Sequence, residues 1–243
     1  MKKAGIAAAF GCFMVLFAFA ADAGESAADP GAVALAARVP RFLVHNATVL
    51  DGIAELSSER PELSYAFEEV LKAKFNDPEP PQQRFDLSLE NQTASEILDA
   101  LCSSDARYAW IRDGLTVNVY PRSTTNDNSY FPNRQITQLE LQQVTSTDQA
   151  VFAVAGQLPH PFEQIALAQV GGDTTYATAW TATFRNISVR QALNLIALRL
   201  GPGGGWVFGG SREFRTIGFH KGPFTVAREV ASGAVVYTND GPN

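Results

Sequence analysis

The chain is poor in the residues that carry most enzyme and metal chemistry. Its 243 residues include two cysteines and three histidines. His45, His160 and His220 are scattered, with no H-E-x-x-H or other metal-ligating spacing, and we expect each of them at the surface. The sequence therefore predicts no catalytic residues, no metal ligands and no cofactor.

Basic residues are also scarce. The chain has 19 Lys and Arg against 25 Asp and Glu, which gives a formal net charge of −6. Nucleic acid and anionic lipid bind through clustered Lys and Arg that release counterions, so this composition argues against both ligands. Because 46% of the residues are hydrophobic, the chain has enough material for a sizeable core and is neither disordered nor fibrous.

The first 20 residues differ in character from the rest. Two lysines precede an uncharged apolar run over residues 4–21, and Ala18-Phe19-Ala20 has the A-x-A form of a cleavage site. This pattern predicts a secretory signal peptide over residues 1–20, and a mature protein that is periplasmic or secreted after cleavage near Ala20. The alternatives are a retained anchor, for which the run is at the short limit, and lipidation at Cys12, which the continuing apolar run disfavours.

Cys102 is the single cysteine that remains after removal of this leader, so the mature chain can form no internal disulfide. It follows Leu98 and Leu101 on a helical pattern. That pattern favours a small buried apolar residue over a catalytic thiol.

An internal repeat organises the chain. Residues 46–56, 91–101 and 186–196 share the pattern N-x-[ST]-x-x-[DEQ]-x-[LI]-x-x-[LI]. The hydroxyl residue suits a helix N-cap, and the acidic or amide residue three positions later suits its capping-box partner. The three pairs are Thr48 with Asp51, Thr93 with Glu96, and Ser188 with Gln191. Each unit therefore begins an amphipathic helix, and its N-x-[ST] sequon is interpreted as structural rather than as a glycosylation site.

Alternating apolar residues precede these caps, as at residues 85–89 and 180–184, and predict half-buried strands. A fainter fourth copy of this strand-helix unit begins at Ile136, where Thr145 lies three residues before Asp148. The units form two pairs at a nearly constant offset. Phe67-Glu68 matches Phe162-Glu163, Phe85 matches Trp180 and Asn91 matches Asn186, each 95 residues apart, while Trp110 and Trp206 are 96 apart.

The predicted fold class is α+β, with two tandem duplicated modules. Each module reads strand, helix, strand, then strand, helix and a two-stranded hairpin, with two helices against small sheets. The predicted boundaries are 39–121 for the first module, 122–134 for a polar linker, 135–221 for the second module and 222–243 for a C-terminal hairpin or tail. In the first module we expect strands at 41–45, 63–68, 85–89, 108–112 and 115–120 and helices at 49–58 and 94–103. We expect the two halves to fold separately.

Residues 42–120 resemble the STN domain, the short N-terminal domain of secretins and TonB-dependent receptors. The resemblance is carried by LSYAFEEVL, FDLSLEN and YAWIRDGLTVNVYP around the capped helices. It implies a small α+β fold and a role in contacting partner proteins during signalling or secretion, with residues 136–220 as a second, divergent copy. The middle segment 72–84 and the loop 201–205 depart from the family, which supplies no invariant catalytic residues.

Three further features have structural explanations. Glu68 and Glu163 occupy equivalent positions in different modules, so they are not expected to face each other as an acid and base. Trp110 and Trp206 could anchor a partner, but strand alternation favours the core. The segment Gly201–Gly210 lacks the G-K-[ST] of a phosphate loop and is expected to form a long turn.

The sequence thus predicts an exported, non-enzymatic protein-interaction module of the bacterial cell envelope. An envelope protein partner is expected but not identified, and edge strands of small sheets offer it a route of strand addition. Contact with a membrane is expected only through the signal peptide before cleavage. The alternative is an exported enzyme or small-ligand binder with a site between the two halves.

Overall fold

The computed structural model describes residues 29–158, 165–169 and 174–223. Several predicted features lie outside these residues, namely the predicted signal peptide, His160, Phe162-Glu163 and almost all of the expected C-terminal tail. None of the helices in the described ranges is long and apolar enough to cross a membrane.

The described residues form a mixed helix and strand structure, which confirms the α+β class. The helices are α1 Pro30–Ala36, α2 Val49–Glu59, α3 Ala94–Ser104, α4 Thr147–Gly156 and α5 Val189–Leu198. The strands are β1 Arg38–Ala47, β2 Ser64–Glu68, β3 Phe85–Thr93, β4 Tyr108–Asp113, β5 Thr116–Pro121, β6 Gln135–Ser146, β7 Ile165–Gln169, β8 Thr175–Ser188, β9 Gly205–Gly210 and β10 Arg215–His220.

The two halves repeat the same connections. In the first half β1 pairs antiparallel with β3, and β2 lies parallel to β5, which forms a hairpin with β4. In the second half β6 pairs antiparallel with β8, and β7 lies parallel to β10, which forms a hairpin with β9. The repeat found in the sequence is therefore a repeat of the fold.

The halves share one central sheet, which corrects the expectation of separate small sheets. The strand order is β4-β5-β2-β9-β10-β7, so β2 of the first half pairs in parallel with β9 of the second. At this junction Ala66 lies opposite Trp206 and Phe67 opposite Val207. Each half contributes three strands to this sheet. We therefore no longer expect the halves to fold independently.

The helices of the two halves cover opposite faces of this sheet. Tyr65, Phe67 and Val119 pack into the core of the first half. The intervening Ala66 and its neighbour Trp206 pack into the core of the second half, because successive strand residues point to opposite faces. Strand directions are reversed as well, since β9 runs parallel to β2 whereas β4 runs opposite to it. The second half is thus related to the first by a half-turn about an axis that lies in the sheet and crosses the strands, combined with a shift of three strands along that axis.

The predicted capping boxes are present at α2, α3 and α5, with Thr48, Thr93 and Ser188 as caps. The Asn two residues before each cap has a positive φ, between 48° and 53°. Asn tolerates this left-handed backbone better than most residues, which gives the asparagine of the repeat a physical reason.

The fourth unit differs from the expectation by one residue. Ser146, not Thr145, caps α4, and its side chain accepts from the amide of Gln149. The Thr145 amide donates to the Gln149 Oε1 instead. In this unit Gln143 takes the left-handed position, with a φ of 51°.

The expected linker is part of the packed structure. Residues 122–124 and 131–133 form short 3-10 turns, and Tyr130 and Phe131 are buried. The Phe131 ring stacks on that of Phe208, with ring centroids 5.6 Å apart. The module boundaries stay a prediction. Residues 130–132 of this segment are packed into the core of the second half, whereas residues 125–129 are exposed.

Candidate functional site

Three segments that the duplication does not account for meet at one end of the central sheet. They are the middle segment 72–84, the connection 122–134 and the loop 211–214 between β9 and β10. The amide of Lys72 donates to the Gly210 carbonyl at 3.1 Å, and the Arg212 amide donates to the Lys72 carbonyl at 2.9 Å. Segments that depart from the repeat are not needed to build the duplicated fold, so we take the place where they meet as the candidate site.

An open cleft of about 290 Å³ lies between the connection 122–134 and the loop 211–214, and residues 69–71, which precede the middle segment, also line it. Its walls come from the end of β2, the connection between the halves and the start of β10. The lining residues are Glu69, Val70, Leu71, Pro121, Ser123, Thr124, Asp127, Ser129, Tyr130, Phe131, Arg212 and Arg215. Both halves contribute, so the cleft exists only in the joined structure.

Glu69 is the most perturbed carboxyl group of the cleft. Burial raises its pKa to about 6, and the nearby charge of Glu79 adds to the rise. The Gly210 amide and the Lys72 ammonium act in the opposite direction without overcoming burial. A Cβ on Gly209 would lie 2.0 Å from the Glu69 Oε2, so the absence of a side chain there leaves room for the carboxylate.

The pKa of Asp127 is shifted in the opposite direction. Its Oδ1 accepts from the Ser129 amide at 2.8 Å and from the Ser129 hydroxyl at 2.6 Å. These hydrogen bonds, with a smaller attraction from Arg212, hold its pKa below the usual range. Near neutral pH Asp127 is therefore fully ionised, whereas Glu69 titrates just below neutrality.

An exposed aromatic pair lies beside the cleft. Phe75, from the middle segment, is 56% exposed. Its ring meets that of Phe214 edge-on, with centroids 5.3 Å apart, and the Lys72 ammonium lies 5.8 Å from the Phe75 centroid. This pair again joins the first half to the second.

A buried ion pair closes the junction next to the cleft. Glu68 is fully buried, and its carboxylate accepts from Arg190 of α5 at 2.5 and 2.9 Å. Burial raises the pKa of Glu68, and the Arg190 guanidinium acts against that rise. Arg190 also lies over the Tyr120 ring at 4.9 Å. No local pattern in the sequence indicates this pair, because its partners are 122 residues apart.

The sheet register gives the structural equivalent of Phe67 in the second half. Phe67 lies opposite Val119, which lies opposite Trp110. The same path in the second half runs from Trp206 through Phe219 to Gln169. Phe67 is therefore equivalent to Gln169 by sheet register, while the expected match of Phe67-Glu68 with Phe162-Glu163 involves residues outside the described ranges.

The two tryptophans lie at equivalent positions, as predicted. The Trp110 indole donates to the Asp99 carboxylate and the Trp206 indole to the Asn194 side-chain oxygen, both at 2.8 Å. Trp206 is fully buried, which confirms the core interpretation, while Trp110 is half-buried. Asn194 also donates to Asp113 of the first half at 3.0 Å, a second polar link across the junction.

Of the two described histidines, one lies at the surface as expected and the other does not. His45 is exposed and lies 2.6 Å from the Asp86 carboxylate, which confirms a surface position. His220 is buried, so its expected surface position is wrong. It lies on β10, between β9 and β7, where a strand has no solvent-facing edge. Burial lowers its pKa to about 4, so its ring is neutral at physiological pH.

Cys102 is buried on α3, and burial raises its pKa to about 12, as expected for a structural thiol. The expectation of one long turn over Gly201–Gly210 is wrong for its second part. The turn ends at Gly204, and residues 205–210 form β9. The match of Trp206 with Trp110, which lies on a predicted hairpin strand, favours a strand here, and pairing with β2 explains why a glycine-rich segment is extended.

In the described ranges no group of three or more His, Cys, Asp or Glu side chains could hold a metal ion. No family model, no curated protein and no solved structure matches the chain.

Proposed function

We propose that the chain is an exported, non-enzymatic protein-interaction module of the cell envelope, and that a partner protein docks at the cleft between its halves. The observation that carries this proposal is one cleft lined by residues 69–71 of the first half, by the connection between the halves and by Arg212 and Arg215 of the second half. Export rests on the predicted signal peptide, and a role in signalling or secretion rests on the resemblance to STN domains.

The chemistry of the site supports binding. The cleft offers carboxylates, hydroxyls and arginines next to the exposed ring of Phe75, a mixture typical of protein interfaces. The Cys102 thiol is buried and far from ionising at neutral pH, so it is unsuited to act as a nucleophile. His220 is buried in the sheet, where it cannot serve as a general base for a bound substrate.

A small-ligand binder is the second candidate, because the cleft lies between the halves and is close to the lower size limit of ligand pockets. Both candidates use the same cleft, and they differ in whether the ligand is a protein or a small molecule.

Affinity capture from envelope extract tests the proposal with matched variants. We expect wild-type protein to retain a stoichiometric partner that Phe75→Ala and Phe214→Ala release. Phe152→Ala is the control, since Phe152 is 63% exposed on α4, in another part of the molecule. Equal capture by all four proteins would exclude the cleft as the docking site. Absence of any partner, together with thermal stabilisation by a small molecule, would favour the second candidate.

A further inference from the structure

The connection between β2 and β3 ends in a proline-rich segment, residues 78–84, that belongs to no helix or strand. It begins with the sequence Pro78-Glu79-Pro80-Pro81. The equivalent connection of the second half, between β7 and β8, covers only residues 170–174 and contains no proline. The duplicated fold therefore joins these strands without such a segment, and chain connectivity does not explain it.

The covalent chemistry of residues 78–81 favours a polyproline II helix. The rings of Pro78, Pro80 and Pro81 fix φ at about −65°. Glu79 precedes a proline, which disfavours the α region and leaves an extended backbone. A polyproline II helix has about three residues per turn, so these four residues make slightly more than one turn.

The prolines of this turn differ in exposure. Because the repeat is about three residues, Pro78 and Pro81 lie on the same edge of the helix. Both are exposed, whereas Pro80 is half-buried against the rest of the molecule. The segment therefore presents two proline rings on one edge to solvent.

Side chains from outside the turn hold it in place. The Lys72 ammonium pairs with the Glu79 carboxylate at 2.9 Å. The Arg107 guanidinium donates to the Pro81 carbonyl at 2.5 Å, and it is itself paired with the buried Asp105 carboxylate at 2.6 Å. A segment that is already ordered loses less conformational entropy when a partner binds it.

Exposed polyproline II segments are bound by grooves lined with aromatic side chains, which receive the proline rings of one edge. The segment also begins beside the candidate cleft, since the Lys72 carbonyl accepts from the amide of Arg212, a residue that lines the cleft. A partner that binds at the cleft can therefore reach the prolines.

We propose that Pro78 and Pro81 insert into an aromatic-lined groove of the partner protein. This inference rests on the proposed function and adds the class of partner, a domain that recognises polyproline II segments. The cleft then provides a second area of contact with the same partner.

The first test is affinity capture of the partner from envelope extract by the mature chain and three single variants. Pro78→Ala and Pro81→Ala should each retain about tenfold less partner than the wild-type chain, the effect of losing one anchoring contact. Pro61→Ala is the matched control, because Pro61 is also exposed but lies between α2 and β2, and it should retain the wild-type amount.

A peptide competition uses the wild-type chain and does not depend on any variant folding. A synthetic peptide of residues 76–84 should release the captured partner, whereas the same peptide with Pro78→Ala and Pro81→Ala should not. The first peptide should also change the tryptophan or tyrosine fluorescence of the purified partner, because aromatic rings line the groove. The peptide lacks Phe75, so its effect is separate from that of the aromatic pair.

Equal retention by all variants, equal release by both peptides, or unchanged fluorescence of the partner would overturn the inference. Loss of the partner from Phe75→Ala and Phe214→Ala, while Pro78→Ala and Pro81→Ala retain it, would remove this inference and leave the proposed docking site intact. The reverse result would support the proline segment and exclude the cleft. Retention of no partner by the wild-type chain would overturn both proposals.

Discussion

The two halves place the same structural unit at different positions of one sheet, and equivalent residues therefore differ in how deeply they are buried. Trp110 lies on β4, at an end of the central sheet, and remains partly exposed, while Trp206 lies on β9, between β2 and β10, and is fully buried. Each indole donates to the residue at the matching position of the preceding helix, Asp99 or Asn194. Burial is therefore decided by the neighbouring strand and not by the local sequence.

A single residue shows how β9 became internal. A Cβ on Gly205 would lie 1.9 Å from the Tyr65 carbonyl oxygen, so the junction with β2 requires glycine there. The equivalent residue on β4 is Ala109, which lies opposite Tyr120 as Gly205 lies opposite His220. In the described part of the chain β4 has no second neighbour. The methyl group of Ala109 disfavours a repeat of the same junction at that end of the sheet.

The comparison between the tryptophans predicts the largest effect. Trp206→Ala should lower the free energy of unfolding by about 3–5 kcal/mol, because it empties a fully buried site at the junction. Trp110→Ala should lower it by less than half as much. Urea denaturation of both variants measures the difference, and equal losses would mean that the two hairpins are equally buried in solution.

Arg190 and its equivalent Ser95 form the next comparison. Arg190→Met should cost about 3–5 kcal/mol, because it leaves the buried Glu68 carboxylate without its partner. Ser95→Ala should change stability by less than about 0.5 kcal/mol, as is usual for substitutions away from the core. Adding Glu68→Gln to Arg190→Met should restore part of the loss. If Arg190→Met is as mild as Ser95→Ala, the ion pair across the junction does not form.

The two carboxylates of the cleft should respond to pH with opposite signs. The pKa of Glu69 is raised from 4.5 to about 6, so the folded state holds its proton longer and stability falls as the pH rises through this window, by about 2 kcal/mol. The pKa of Asp127 is lowered, so its contribution is lost as the pH falls below 3.8. Denaturation midpoints of Glu69→Gln against wild type from pH 4 to 7 test the first sign. A parallel pH dependence would contradict the burial of Glu69.

The helix caps should give the smallest effect and no difference between the halves. Thr93→Ala and Ser188→Ala should each lower stability by about 1 kcal/mol, because each removes a capping-box hydroxyl. Denaturant midpoints measure both. Unchanged midpoints would show that the caps are replaced by water without loss.

What the sequence predicted well is local. The capping boxes, the helices that follow them and the hairpin turn at Asp113-Gly114 depend on residues within a few positions, and the offset of 95 residues extends them to the second half. The Trp110 and Trp206 equivalence held for the same reason.

What the sequence missed is the contact between the halves. The parallel pairing of β2 with β9, the Glu68–Arg190 pair and the buried ring of His220 join positions that are more than 100 residues apart or depend on such a pairing. No periodicity encodes them, because each half looks complete by itself. The cleft was missed for the same reason, since its two walls meet only when the two halves share one sheet.

The central claim is that the two copies share one sheet through β2 and β9. Nuclear Overhauser spectra of the mature chain test it most directly, because parallel strands bring the amide protons of one strand close to the α protons of the other. The account predicts such contacts between residues 66–68 and residues 206–208. Their absence, together with fast amide exchange along both strands, would show two separate modules and contradict the account.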